Sequence, residues 1–195
     1  MSSPAIVNLL FPTVVYTNDN SEIITEEHKE LSKQLCHQHG KHAFITKCLT
    51  TVNTFDRVLD LPEFLSIRKY AIQGITDYIR FMSFDLNRNY KINGSWLNCY
   101  EPGYLQEPHM HHDSMISGVI YITGSNQKDF YFRSPNLNTQ PSLPFIEKQT
   151  EYNQTDCRYE SIDGRIILFM SGALHGTLPV DTERISLSFN VICDK

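Results

Sequence analysis

The feature that most constrains this chain is a change of texture after Asn87. Before it there are segments long enough for helices. After it come only short apolar runs split by Gly, Pro, Asn and Ser. Five of these runs have strand character: Ser95–Tyr100, Ile116–Thr123, Phe130–Phe132, Arg165–Met170 and Arg184–Val191. The last alternates strictly. Ile185, Leu187, Phe189 and Val191 fall on one face and Ser186, Ser188 and Asn190 on the other, which predicts a half-buried strand.

Two helices are predicted ahead of these strands. Thr25 to His39 has Glu26 and Glu27 where the helix dipole favours acid, Leu31 and Leu35 one turn apart, and Gly40 as its stop. Pro62 to about Phe84 is the stronger signal. Phe64, Ile67, Ala71, Ile75, Tyr78 and Met82 recur at three- and four-residue steps, an apolar face made for packing on something flat. Val14, Val15 and Tyr16 suggest extended chain near the start. Pro135 to about Cys157 is polar, carries Pro141 and Pro144, and reads as a long loop or lid. Helices first and strands afterwards make an α+β fold, with the helices on one side of an antiparallel sandwich or jelly roll. The 195 residues suit a single domain, 1–195, with a helical part over 1–90 and a jelly-roll core from about 91 to 195.

The net charge of −5 comes with no basic stripe, so nucleic acid is a poor partner. No stretch approaches the roughly 18 apolar residues that span a bilayer, and the opening Met1-Ser-Ser-Pro lacks the charged start and apolar run of a secretory leader. The five cysteines, Cys36, Cys48, Cys99, Cys157 and Cys193, are odd in number and widely spaced, which predicts reduced thiols in a cytoplasmic protein.

The chemistry lies in the histidines. His28, His37, His39 and His42 fall in or just after the first helix and are expected to face solvent. The others are His109, His111, His112 and His175. If Glu107 to Ser114 is extended, His109, His111 and Asp113 point one way and His112 the other. His111 and Asp113 can then take neighbouring corners of one ion. His175, between glycines at the end of an apolar strand, supplies a third ligand. Two histidines and one carboxylate on one face of a metal, with three positions open, form the facial triad of non-haem iron(II) oxygenases. Nine residues later Arg184 shares the polar face of the last strand with Ser186. A guanidinium with a hydroxyl beside it can clamp a carboxylate, and the placement of Arg184 relative to His175 favours that use over a surface pairing with Glu183 or Asp181.

With these residues in place the chain resembles the double-stranded β-helix 2-oxoglutarate oxygenases, especially a group common in phages and bacteria. The resemblance rests on Phe11-Pro-Thr-Val-Val, on His111-His-Asp-Ser-Met-Ile-Ser-Gly-Val-Ile-Tyr-Ile122, on Gly164-Arg-Ile-Ile-Leu-Phe-Met-Ser-Gly-Ala-Leu-His175 and on Arg184-Ile-Ser-Leu-Ser-Phe-Asn190. Cys99-Tyr-Glu-Pro-Gly103 ahead of the histidines is similar to the prolyl-hydroxylase branch. The resemblance implies that His111, Asp113 and His175 bind iron(II) and that Arg184 binds the distal carboxylate of 2-oxoglutarate. It places Tyr121 on that carboxylate and turns Tyr100 to the active site. It also implies dioxygen as co-reactant, succinate and carbon dioxide as by-products, and hydroxylation of a substrate C–H bond. Relatives in the phage group often carry His-x-His where this chain has His109 and His111, so His109 is either a ligand or a group that orients the site.

The substrate expected from the prolyl-hydroxylase likeness is a peptidyl proline or another protein side chain, ahead of a small metabolite and then a nucleobase. The region 124–160 is expected to shape the entrance, with Arg133 as a candidate contact. Two rival readings remain. One is a cupin-type metalloenzyme using His109 and His111, weakened by the lack of Glu over positions 112 to 118. The other is a jelly-roll binding module, which leaves the spacing of the four site residues without a use.

Overall fold

The computed structural model describes residues 12–42, 48–135, 147–148, 150 and 153–194. Two antiparallel sheets face one another. The larger has seven strands in the order β1 (Val15–Asp19), β9 (Arg165–Met170), β6 (Ile116–Thr123), β11 (Arg184–Asp194), β4 (Asn89–Tyr100), β3 (Leu49–Thr50) and β2 (Lys41–His42). The smaller has four, in the order β5 (Gln106–His109), β10 (His175–Thr177), β7 (Phe130–Arg133) and β8 (Asp156–Tyr159). This is the α+β, double-stranded β-helix architecture expected of the chain.

Helix α1 (Glu26–His39) starts from a capping box. Thr25 Oγ1 accepts from the His28 amide at 3.3 Å, and His28 Nδ1 accepts from the Thr25 amide at 3.1 Å. His28 therefore does not face solvent. It is buried, and its Nε2 lies 2.9 Å from the Glu63 carbonyl oxygen. His37 and His42 are exposed and His39 is half-buried. The second predicted helix divides into a 3-10 turn, Pro62–Phe64, and α2 (Leu65–Phe81). It stops short of Phe84 because Ser83 takes a left-handed backbone, φ 54°.

Both helices cover the outer face of the large sheet. Ile67, Ala71, Ile75 and Tyr78 of α2 join Ile116, Ile120, Ile122, Ile166, Leu168 and the apolar row of β11 in one buried cluster. A second cluster fills the space between the sheets: Val119, Tyr121, Phe130, Phe132, Ile167 and Phe169. The last strand is thus not half-exposed. It lies in mid-sheet between β6 and β4, with its apolar row under the helices and its polar row turned into the gap between the sheets. A polar row facing inward needs something polar to meet, and this positions the site.

Close packing fixes one glycine. A Cβ at Gly118 of β6 would stand 2.7 Å from Leu168 Cδ2 and closer still to the Phe189 ring. Gly118→Ala is expected to destabilise the fold by about 1–3 kcal/mol through overpacking. Its melting temperature should fall by several degrees in a thermal scan.

Two expectations fail here. Cys36 of α1 and Cys99 of β4 form a disulfide across 63 residues of sequence, which removes the support that unpaired thiols gave to a cytoplasmic setting. No described helix is long and apolar enough to cross a membrane. Most of the predicted loop from Pro135 lies outside the described residues. Its end, however, is a strand, with Cys157 registered against Phe132. The candidate extended start is found in β1, which takes up Val15 and Tyr16.

Candidate active site

A cavity of about 190 Å³ opens between the sheets. That is smaller than the roughly 300–1,000 Å³ of drug-sized ligand sites, and suits a molecule of metabolite size. Imidazoles line one part of it and Arg184 another.

Strand pairing brings the imidazoles together. His175 on β10 is directly opposite His109 on β5, and their ring centres are 4.3 Å apart. His111 follows β5, and its amide donates to the Ser171 carbonyl at 3.0 Å, which ties it to the turn after β9. Its ring lies 5.1 Å from that of His109 and 5.3 Å from that of His175. One ligand atom from each of the three falls within 4.8 Å of the others.

The hydrogen bonds set the tautomers. Nδ1 of His175 lies 2.8 Å from the Ala173 carbonyl oxygen, and Nδ1 of His109 lies 2.9 Å from that of Glu107. A carbonyl can only accept, so Nδ1 holds the proton in each and Nε2 keeps its lone pair. Burial, then the neighbouring His109, pushes His175 down to about 3. Burial, then His109 and His112, pushes His111 down to about 4. Burial also lowers His109, against the opposing pull of the Glu107 carbonyl. Three imidazoles that burial holds toward the neutral form, each offering a ring nitrogen within 4.8 Å of the others, can hold a metal ion. Phe169 meets the His175 ring edge-on at 4.5 Å and gives the cluster an apolar wall.

The structure departs from expectation at Asp113. The extended run ends at His109 and the chain bends at residues 112 and 113, so the alternation that aligned 109, 111 and 113 stops short. Asp113 is exposed and does not belong to the cluster, whereas His109 does. Among the described residues, the cluster that could hold a metal is one of three histidines, without Asp113.

Register likewise assembles the other end. Arg184 is opposite Tyr100 of β4, and Ser186 is opposite both Asn98 of β4 and Tyr121 of β6. The Arg184 guanidinium lies 3.9 Å above the Tyr100 ring and 5.7 Å from that of Tyr121. It is not a surface ion pair: Arg184 is 1% exposed, and Glu183 bonds instead with Lys33. Its counter-ion is Asp129, 2% exposed, whose Oδ1 is 2.9 Å from Nη1. That contact is ionic but misaligned for a hydrogen bond. Nε and Nη1 of Arg184, Oδ1 of Asp129 and the Tyr121 hydroxyl are all buried without a hydrogen-bond partner. Burial works against the charge of Arg184, yet Tyr100, Tyr121 and Asp129 together raise its pKa. Burial raises the phenols of Tyr100 and Tyr121 as well, so both stay protonated donors. Unpaired buried donors cost about 1–3 kcal/mol each, and an anionic ligand in the cavity would relieve that. Arg133 bonds with Asp156 at 3.2 Å.

Asp129 had no sequence signal beyond being the one acid set directly before the run Phe130–Phe132.

Residues 94–190 match the family model described as "Putative 2OG-Fe(II) oxygenase". No curated protein matches the chain in sequence. Among solved structures, a Pseudomonas putida prolyl-4-hydroxylase aligns with a TM-score of 0.64 and 12% identity over 94% of each chain. A prolyl hydroxylase from Trichoplax adhaerens, in complex with a hypoxia-inducible-factor peptide fragment, aligns at 0.62 and 14% identity over 91% of this chain and 83% of that one. HygX of Streptomyces hygroscopicus, with nickel, 2-oxoglutarate and hygromycin B bound, aligns at 0.58 and 10% identity over 92% and 82%. At these identities the likeness is one of fold.

Proposed function

We propose that the chain, whose residues 94–190 match the 2OG-Fe(II) oxygenase family model, is an iron(II)- and 2-oxoglutarate-dependent enzyme that hydroxylates a C–H bond of a peptide or protein side chain, with peptidyl proline the leading candidate. His109, His111 and His175 hold the iron. Arg184, helped by Tyr100, Tyr121 and Ser186, receives the distal carboxylate of the cosubstrate. The observation that carries the assignment of residues is the pairing of a neutral three-imidazole cluster with a buried, under-bonded guanidinium on one small cavity.

The charges support the same roles. Three neutral imidazoles bring none, and Arg184 is offset by Asp129. A divalent cation and a doubly charged 2-oxo diacid then leave the enclosed site neutral, which a low-dielectric cavity favours. A carboxylate among the metal ligands would leave one negative charge over.

Bound iron, with 2-oxoglutarate and dioxygen, supplies the oxidising power for C–H hydroxylation, with release of succinate and carbon dioxide. The chain's own part is positioning and exclusion. The Ala173 and Glu107 carbonyls fix the rings of His175 and His109 through Nδ1. Arg184 and the Tyr121 hydroxyl orient the diacid. Phe130, Phe132 and Phe169 keep water from the metal side. Trp96, 6.1 Å from His111 and half-buried, borders the cavity where a substrate would approach.

The preference for a peptide is supported by the two prolyl hydroxylases among the structural relatives, one of them solved with a peptide. HygX, solved with hygromycin B, keeps a small molecule as the second reading. Protein incubated with iron(II), 2-oxoglutarate and oxygen is expected to form succinate slowly. Proline-containing peptides should accelerate this at least about tenfold and gain one oxygen atom by mass spectrometry. Acceleration by small metabolites and by no peptide would sink the peptide reading.

A further inference from the structure

Behind the cosubstrate end of the cavity stands a buried carboxylate. Asp129 sits just before β7 and is not among the residues that line the cavity, whereas Arg184, Tyr100 and Tyr121 are. It lies behind the guanidinium, and it is anchored. Its Oδ2 accepts from Ser125 Oγ at 2.6 Å and from Ser161 Oγ at 3.0 Å, and those two hydroxyls are 2.7 Å from each other. All three side chains are buried. The serine pair thus turns Oδ1 toward Nη1 of Arg184, while the Tyr100 ring carries the flat face of the guanidinium.

We propose that Asp129, held by Ser125 and Ser161, is a positioning residue that fixes the rotation of the Arg184 head so that the N–H edge turned away from Asp129 meets the distal carboxylate of the cosubstrate. This rests on the reading that Arg184 binds that carboxylate. A long side chain with several rotatable bonds gives a two-point grip only if something holds its head. Tyr100 fixes the plane of the guanidinium and leaves rotation within that plane free; Asp129 removes it.

Two effects of Asp129 oppose each other. Its oxygen orients Arg184, whereas its negative charge repels a second carboxylate on the same guanidinium. Asp129→Asn and Asp129→Ala both lack the charge, and only the first can place an oxygen beside Nη1, its amide N–H groups then donating to Ser125 and Ser161 Oγ, which turn to accept. Comparing them isolates the orienting role. The quantity to measure is the ratio of affinities for 2-oxoglutarate and 2-oxopentanoate, which lacks the distal carboxylate. It is read by calorimetry on manganese(II)-loaded protein without oxygen.

Asp129→Asn is expected to favour the diacid at least about tenfold more strongly than Asp129→Ala does. Affinity for 2-oxopentanoate should agree within about twofold between them, since that ligand makes no use of Arg184. General loss of structure would lower both affinities and leave the ratio alone. Equal ratios in the two variants overturn the proposal. Should Asp129→Ala not fold, Ser161→Ala, which removes one anchor of Oδ2, is expected to reduce the wild-type ratio about threefold, and an unchanged ratio there overturns it equally. Arg184→Met separates this failure from the broader one. If that variant still discriminates the two acids, Arg184 is not the carboxylate residue and the parent reading falls, whatever Asp129 does.

Discussion

Replacing His175 with alanine is expected to abolish metal uptake. Affinity for manganese(II) or iron(II) should fall by more than about 100-fold, since even residues that only orient a ligand are worth about 10- to 100-fold. The argument is one of position. His175 is the member of the cluster whose strand pairs with both β5 and β7, and its ring packs between those of His109 and His111 and the Phe169 wall. Its lone pair is free because burial keeps it neutral and the Ala173 carbonyl holds the opposite nitrogen. Thermal scans with and without metal give the check: the wild type should gain stability on adding metal, and the variant should not. His109→Ala is expected to behave like His175→Ala, whereas Asp113→Ala should keep its metal affinity within about threefold, as an exposed side chain outside the cluster. The reverse pattern, with Asp113 essential and His109 dispensable, would restore the two-histidine, one-carboxylate set.

That choice between His109 and Asp113 shows where the sequence stopped being readable. Strands β6 and β9 lie where the sequence predicts them, Ile116–Thr123 and Arg165–Met170, because each is a continuous apolar run closed by turn residues. Helix α1 was legible from Glu26 and Glu27 near its start, Leu31 and Leu35 one turn apart and Gly40 at its end. The strands of the small sheet that hold the histidines were not. Gln106–His109 contains Pro108 and no apolar residue, and His175–Thr177 has three residues. They are strands because β10 pairs with β5 on one side and β7 on the other, which is long-range information. An extended reading of 107–114 was sound as far as His109 and failed at the bend, taking the carboxylate with it. Arg184 was legible through its place on an alternating strand, but its partner was not, since Asp129 is 55 positions away and reaches it across the two sheets. The Cys36–Cys99 bond escaped for the same reason of distance, and His28 because a histidine stands where a capping box ordinarily has Glu or Gln.

Arg184→Met is expected to separate binding from folding more sharply than any other single change. On the binding side, 2-oxoglutarate affinity should fall about 100-fold or more, because the variant loses a charge-assisted, two-point contact in a site closed to water. Metal affinity should hold, since the imidazoles do not depend on Arg184 for their hydrogen bonds. On the folding side, Asp129 would remain 2% exposed with its counter-ion gone. Breaking one half of a buried pair costs about 3–5 kcal/mol, which for a chain of this size lowers the melting temperature by about 10 °C. The two losses have different causes and so respond differently to a second substitution. Arg184→Met combined with Asp129→Leu leaves no buried charge, and should recover much of the stability while the cosubstrate affinity stays lost. If the double variant regains both, the effect of Arg184 on 2-oxoglutarate is only a consequence of a damaged fold. If Arg184→Met alone keeps its cosubstrate affinity, the unpaired nitrogens at the head of this cavity serve some other anion, and the diacid must be held elsewhere.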